Sequence, residues 1–215
     1  MASPSPAALT TADLALAAAT CRETLAPALD ADWTIRAGDL NWTCQRTLDH
    51  VVDTLLFYAV MLATRATAWP IPARDGDPAK SPAELLTIIE SAAAILADVA
   101  RAAPDGTRAF HPAGMTDPEG FLALGCEEIL IHTDDIARGL GCPCAPPPDL
   151  VERVLWRLFP WAPAGHEPWQ TLKWACGRVA LPDRARLGPN WYWHSAPLSE
   201  WDGKVKRRAA PPAWT

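Results

Sequence analysis

Apolar side chains recur every three to four positions along four long stretches before residue 142, a spacing typical of amphipathic α-helices. The first predicted helix covers residues 11–29, and Pro27 favours an early end to it. The other three are predicted at about Cys44 to Arg65, Pro82 to Ala102 and Pro118 to Gly141. No run of alternating apolar and polar residues occurs among them, so a sheet-centred fold is not expected.

Local signals support these helix ends. Ser81 and Glu84 have the spacing of a capping box, in which each side chain bonds the other residue's backbone N–H. Asp117 is a good N-cap before Pro118, and Gly141 is a stop signal. Four amphipathic helices predict a four-helix bundle, with connections long enough to cross over its ends.

The last third of the chain has a different character, since eight of the 11 tryptophans follow residue 150. After a proline cluster, helices are predicted from Asp149 to Leu158 and from Glu167 to Leu181, followed by an extended arm at 190–195. The predicted fold class is therefore mainly α: a bundle over residues 1–145 and a small Trp-rich α+β appendage over 146–215.

Composition and charge argue against several classes of function. The net charge is −6, and the one basic run, Lys204 to Arg208, is predicted to be a solvated tail, so nucleic acid is not an expected partner. No segment has 18 uninterrupted apolar residues, and the N-terminus lacks a positive region, so neither a membrane span nor a signal peptide is expected. A cytoplasmic protein with six reduced cysteines is the prediction.

The fourth helix carries a carboxylate and an imidazole within its most apolar part. Glu128 and His132 are four residues apart and therefore share one face. One interpretation is a hydrogen-bonded polar pair with no further role. The other is a pair of ligands to a divalent metal, which requires a third ligand from another helix.

His50 on the second helix is the natural third ligand, since it lies beside the core-facing stripe. Two imidazoles and one carboxylate form a three-ligand set, as in catalytic zinc sites that keep a position open. Iron or nickel would suit the same donors. Asp135, one turn beyond His132, could orient an imidazole, or it could be an exposed or helix-capping carboxylate.

Other side chains have weaker signals. His111, just before the fourth helix, could reach the open end of the bundle or serve only the structure of its loop. Arg178 could meet a substrate carboxylate or form an ordinary ion pair. Cys126 is expected in the core. The chain has no phosphate-binding loop, no GxSxG elbow and no dinucleotide fingerprint, which argues against nucleotide-dependent and serine-hydrolase chemistry.

Two stretches carry a resemblance to a known family: TCQRTLDHVVDTLLFYA on the second helix and EEILIHTDDIARGLG on the fourth. Together they resemble the DinB-like metal-binding bundles, and most of all the branch named for mycothiol-dependent maleylpyruvate isomerase. The resemblance covers about residues 10–141. The later motifs KWACGRVALPDR and WYWHSAPL are similar to the C-terminal part of many actinobacterial members.

The resemblance implies a divalent metal, zinc in the isomerase branch, held by His50, Glu128 and His132. It also implies a low-molecular-weight thiol such as mycothiol as co-substrate. Metal coordination favours the thiolate, a strong nucleophile that could add to an electrophilic small molecule. The expected enzyme is a thiol S-transferase or a cis–trans isomerase, with Glu128 and His132 as catalytic residues.

Two alternatives stay open at this point. A metal-dependent lyase or hydrolase would use metal-bound water in place of the thiol. A non-catalytic bundle would bind a small ligand, with its polar triad structural or without metal. Expected partners are small molecules, and exposed leucines and tryptophans could support a homodimer.

Overall fold

Helices dominate the computed structural model, which describes residues 5–68 and 76–212. The four long helices are α1 Thr11–Leu25, α2 Cys44–Thr64, α3 Pro82–Ala102 and α4 Pro118–Leu140. Two shorter helices follow them, α5 Pro148–Leu158 and α6 Pro168–Ala175. The predicted fold class, a mainly helical bundle with a small appended region, is confirmed.

Each of the first two helices packs mainly against α3 and α4, so the order around the bundle is α1, α3, α2, α4. Consecutive helices are therefore not always neighbours, and the α1–α2 connection crosses the bundle. At Gly125 of α4 the other three helices meet. A Cβ built there would lie 3.0 Å from Leu14, 3.2 Å from Leu55 and 3.2 Å from Leu96. The missing side chain lets one leucine from each of the other helices close around α4.

The helix ends follow the local chemistry that the sequence indicated. The α1 helix ends at Leu25 and tightens into a 3₁₀ turn around Pro27, so the early end is confirmed. Ser81 and Glu84 form the capping box of α3. The Asp117 side chain accepts a hydrogen bond from the Gly120 N–H at 2.9 Å at the start of α4. Gly141 ends that helix with a positive φ of 73°.

A small β-hairpin, absent from the sequence prediction, lies between α3 and α4. Its strands are β1 Ala109–His111 and β2 Gly114–Thr116, paired antiparallel with His111 opposite Gly114. Strands of three residues are too short to show an alternating pattern, so nothing in the sequence pointed to them. The hairpin fixes His111 directly before α4.

The C-terminal region differs from its prediction at three places. Pro147, not Asp149, is the N-cap of α5. The α6 helix ends at Ala175, well before Leu181, because the chain turns at Gly177 with a φ of 69°. The arm expected at 190–195 forms a single antiparallel bridge, Trp191 to Arg207, and not a strand.

The basic run from Lys204 to Arg208 is only in part the solvated tail that the sequence suggested, since Lys204 and Arg207 are exposed but two other cations pack on the protein. The Arg208 guanidinium lies over the rings of Trp191, Tyr192 and Trp193, at 5.2, 4.8 and 4.9 Å from their centroids. The Lys206 ammonium donates to the Ala113 carbonyl at 3.1 Å. This segment therefore packs back onto the hairpin and the aromatic cluster.

A buried arginine joins the C-terminal region to the bundle. Arg157 of α5 is 2% exposed and donates to Asp117 Oδ1 at 2.6 Å. It also donates to the carbonyl oxygens of Ser195 at 3.2 Å and Ala196 at 3.0 Å. One guanidinium thus connects the N-terminus of α4 to the segment that carries Trp193.

Three further sequence predictions concern membrane insertion, the division of the chain and the linker before α3. By length and composition alone, α2 could cross a membrane, but 67% of that window is buried inside the protein, as in the core helix of a soluble bundle. The division into residues 1–145 and 146–215 stays a prediction, and α5 packs directly on α4. Part of the linker expected between Trp69 and Pro82, residues 69–75, lies outside the described residues.

Candidate metal centre

Three side chains from α2 and α4 converge beside the bundle core. The nearest ligand atoms of His50, Glu128 and His132 all lie within 4.8 Å of one another. Glu128 Oε2 is 3.2 Å from His132 Nε2 and 3.7 Å from His50 Nε2. The structure therefore brings together the three residues that the sequence singled out as ligands.

The three side chains differ in exposure. Glu128 and His132, one turn apart on α4, are 7% and 4% exposed, whereas His50 is 17% exposed. The Trp42 ring lies 4.9 Å from the His50 ring and packs on it edge to face. The triad is thus buried on the α4 side and reached by solvent at the His50 side.

A second carboxylate holds the His132 ring in place. Asp135 Oδ2 lies 3.1 Å from His132 Nδ1, which directs Nε2 toward Glu128. Arg178 Nη2 and Arg138 Nη2 each donate to Asp135 at 2.8 Å. Asp135 is 0% exposed, so the exposed-carboxylate alternative is wrong. Arg178 makes the ion pair that the sequence left open, and its partner is the residue that orients His132.

The carboxylates around His132 favour a positive charge on its ring. Burial opposes that charge, but the hydrogen bonds to Asp135 and Glu128 prevail and raise the pKa of His132 to about 9. Burial likewise opposes ionisation of Glu128, yet its bonds to His132 and His50 hold its pKa well below the usual range. A metal cation at His132 Nε2 would meet the Glu128 carboxylate, while Asp135 stays bonded to Nδ1.

Tyr58 is a site residue that the sequence analysis missed. Its hydroxyl donates to Glu128 Oε1 at 3.3 Å, so the two carboxylate oxygens have separate partners. Burial, together with the Glu128 charge, raises the pKa of Tyr58 well above its ordinary value. His50, Thr54 and Tyr58 are spaced four residues apart on α2, and that spacing could have revealed Tyr58.

Glu127, next to the triad, has a different environment. It is 2% exposed and accepts a hydrogen bond from Cys176 Sγ at 3.0 Å. Burial, followed by the Glu128 charge, raises the pKa of Glu127 to about 7. Cys126 is fully buried, as predicted. Neither cysteine touches the three converging ligand atoms in the part of the chain that the structure describes.

His111 and Arg208 lie on the other side of Tyr58. The His111 ring packs on the rings of Tyr58 and Trp193, each at 5.5 Å. The positive charge of Arg208 favours a lower pKa at both residues: it opposes the rise at Tyr58 and adds to the fall at His111. No sequence signal pointed to Arg208, because its neighbours come from distant parts of the chain.

The donor set fits a divalent metal. Two imidazole nitrogens and one carboxylate oxygen are the composition of catalytic zinc sites with three protein ligands and an open position. One imidazole already has the carboxylate partner that metal-binding histidines usually have. Iron or nickel would accept the same ligands.

We expect the Asp135→Asn variant to bind a divalent metal about 10–100-fold more weakly. The neutral amide lacks the negative charge of the carboxylate and is a weaker acceptor for the His132 Nδ1–H group. Competition titration against a chromophoric chelator measures the dissociation constant. Asp134→Asn is the matched control, since Asp134 pairs with the same Arg138 but bonds neither imidazole. Equal weakening in both variants would show that the effect is general electrostatics, not orientation of His132.

Comparison with known protein families gives one match. The model of the DinB superfamily matches residues 13–136, which include His50, Glu128, His132 and Asp135. No curated protein and no solved structure matches the chain.

Proposed function

Because the chain belongs to the DinB superfamily, we propose that it is a divalent-metal-dependent enzyme that activates a low-molecular-weight thiol for addition to an electrophilic small molecule. The thiol is of the mycothiol kind, and the reaction is an S-transfer or a cis–trans isomerisation. The observation that carries the proposal is the convergence of His50, Glu128 and His132 with only three protein donors among the described residues.

These three residues would hold the metal, zinc in the first instance. A bound divalent ion would lower the pKa of a coordinating thiol, so that the thiol would react as a thiolate at neutral pH. Asp135 orients His132 through its 3.1 Å contact, and Tyr58 holds the other oxygen of Glu128 at 3.3 Å. Preorganised side chains of this kind reduce the reorganisation needed during reaction.

The surroundings favour an electrophile that carries negative charge. Arg208 lies over Trp193, and its positive charge interacts electrostatically with Glu128 and Tyr58. When a thiolate adds to an alkene conjugated to a carbonyl, a sulfur–carbon bond forms and the π pair moves toward the carbonyl oxygen. Loss of the same thiolate after rotation gives the isomer, whereas protonation at carbon by water gives the thioether.

The proposal predicts turnover that needs metal and thiol together. Mycothiol, glutathione and cysteine are each mixed with a cis α,β-unsaturated acid and zinc-loaded protein, and NMR follows both the acid and the thiol. We expect product with at least one thiol, and none after chelation of the metal. His166→Ala is the control, since His166 pairs with Asp183 outside the triad. Turnover without thiol would indicate metal-activated water instead, and metal binding without any turnover would favour a ligand-binding bundle.

A further inference from the structure

His111 is enclosed between the triad and the C-terminal aromatic cluster. It is 3% exposed, and its ring packs at 5.5 Å from Tyr58 and at 6.5 Å from Phe121. Tyr58 in turn donates to Glu128, so one side chain separates His111 from a triad residue. The negative charge of Glu128 also reaches the His111 ring, where it favours a higher pKa.

The hydrogen bond at one ring nitrogen defines the tautomer of His111. Nδ1 accepts from the Ala113 N–H at 3.1 Å, so Nδ1 carries no hydrogen. Burial lowers the pKa of His111 to about 3, so the ring is neutral at physiological pH. The proton of the neutral ring is therefore on Nε2, where it is available for donation.

That Nε2–H group has no acceptor among the described residues, since the contacts of His111 are the Ala113 hydrogen bond and its neighbouring rings. A second donor nearby is in the same condition. Trp193 Nε1 is buried without a hydrogen-bond partner in the described part of the chain, and its ring packs edge to face on His111. Buried donors are normally paired, so the Trp193 Nε1–H, with the free Nε2–H of His111 beside it, points to a missing acceptor.

We propose that His111 is a catalytic residue that donates a hydrogen bond from Nε2 to the carbonyl oxygen of an α,β-unsaturated carbonyl substrate. The inference rests on the proposed function and names the substrate class of that site. As the sulfur–carbon bond forms at the β-carbon, the alkene π pair shifts into the bond between the α-carbon and the carbonyl carbon, and the carbonyl π pair moves onto oxygen. His111 stabilises the resulting enolate oxygen and keeps its proton, as a neutral imidazole can.

Two variants separate this role from a structural one. In His111→Asn the side-chain oxygen can replace Nδ1 as acceptor for Ala113, but nothing reaches the Nε2 position. In His111→Gln the amide nitrogen can donate from near the Nε2 position, while the bond to Ala113 is lost. A catalytic donor therefore predicts that the Gln variant retains activity better than the Asn variant, and a purely structural histidine predicts the reverse.

Two electrophiles give the kinetic readout. An α,β-unsaturated ketone develops charge on oxygen during thiolate addition, and benzyl chloride, which has no carbonyl, does not. We expect His111→Asn to lower kcat/KM for the ketone by about 10²–10³-fold, the usual effect of removing one oxyanion donor. Its kcat/KM for benzyl chloride and its metal content should stay at wild-type values. Equal losses with both electrophiles would overturn the proposal.

A binding measurement on metal-free protein makes the test independent of turnover. The probe is 4-(dimethylamino)cinnamaldehyde, whose absorption moves to longer wavelength when its carbonyl oxygen accepts a hydrogen bond. We expect a red shift with wild type and His111→Gln, and none with His111→Asn. If wild type consumed no thiol with either electrophile, the proposed function would fail, while the red shift would still support or refute donation by His111. The same shift in all three proteins would refute it.

Discussion

The His132→Ala variant, purified without added metal, should contain almost no divalent metal, whereas the wild type should contain about one ion per chain. The substitution removes one of three converging donors and leaves Glu128 with His50 alone, at 3.7 Å. Loss of a ligand should weaken binding by more than the about 10–100-fold that loss of an orienting partner costs. Elemental analysis gives the stoichiometry, and chelator competition gives the dissociation constant.

The control for this experiment is His166→Ala, which removes an imidazole paired with Asp183 on the surface. Its metal content should equal that of the wild type. Circular dichroism shows whether His132→Ala keeps its helices, so that metal loss is not confused with unfolding. A wild type that binds no metal even in excess zinc, nickel or iron would refute the metal centre.

The largest effect on stability is expected from Arg157→Met. The substitution keeps the apolar stem but removes the donors to Asp117 and to the Ser195 and Ala196 carbonyl oxygens. Breaking a buried ion pair costs about 3–5 kcal/mol, and we expect about 3 kcal/mol here, because Asp117 keeps 19% exposure. Urea unfolding followed by tryptophan fluorescence measures the change, since eight of the 11 tryptophans follow residue 150, in the part of the chain that Arg157 joins to the bundle.

Arg101→Met is the matched control for Arg157→Met. Arg101 pairs with Asp98 on the exposed face of α3, and surface pairs of this kind contribute little. Its free energy of unfolding should change by less than about 0.5 kcal/mol. If Arg157→Met also stayed within that range, the anchoring role assigned to Arg157 would be wrong.

The sequence predicted those parts of the molecule that depend on local order. Helices α2, α3 and α4 follow from apolar periodicity and from caps such as Ser81 and Asp117, because both signals lie within a few residues of what they determine. Glu128 and His132 were recognised as a pair for the same reason. Only the third donor, His50, required an argument about which helices face each other.

The parts that the sequence did not predict depend on contacts between distant residues. Arg208 acquires its role by packing on Trp191 and neighbouring rings, and Arg157 by reaching carbonyl groups almost 40 residues away. Each arginine looks like an ordinary surface residue in its local sequence. The end of α6 at Gly177 was missed because apolar residues continue through Val179 and Leu181 although the backbone has already turned.

The order of helices around the bundle has a mechanical consequence. All three candidate ligands lie on α2 and α4, which are direct neighbours although the whole of α3 separates them along the chain. An ion held by His50 and Glu128 would cross-link two points 78 residues apart (128 − 50) and would oppose sliding of one helix along the other. A slip of one residue moves a helix by about 1.5 Å, enough to break metal coordination. By mass action, an ion at a hundredfold excess over its dissociation constant would add about 2.7 kcal/mol to the folded state. Supply of that ion would then govern how long the folded chain survives.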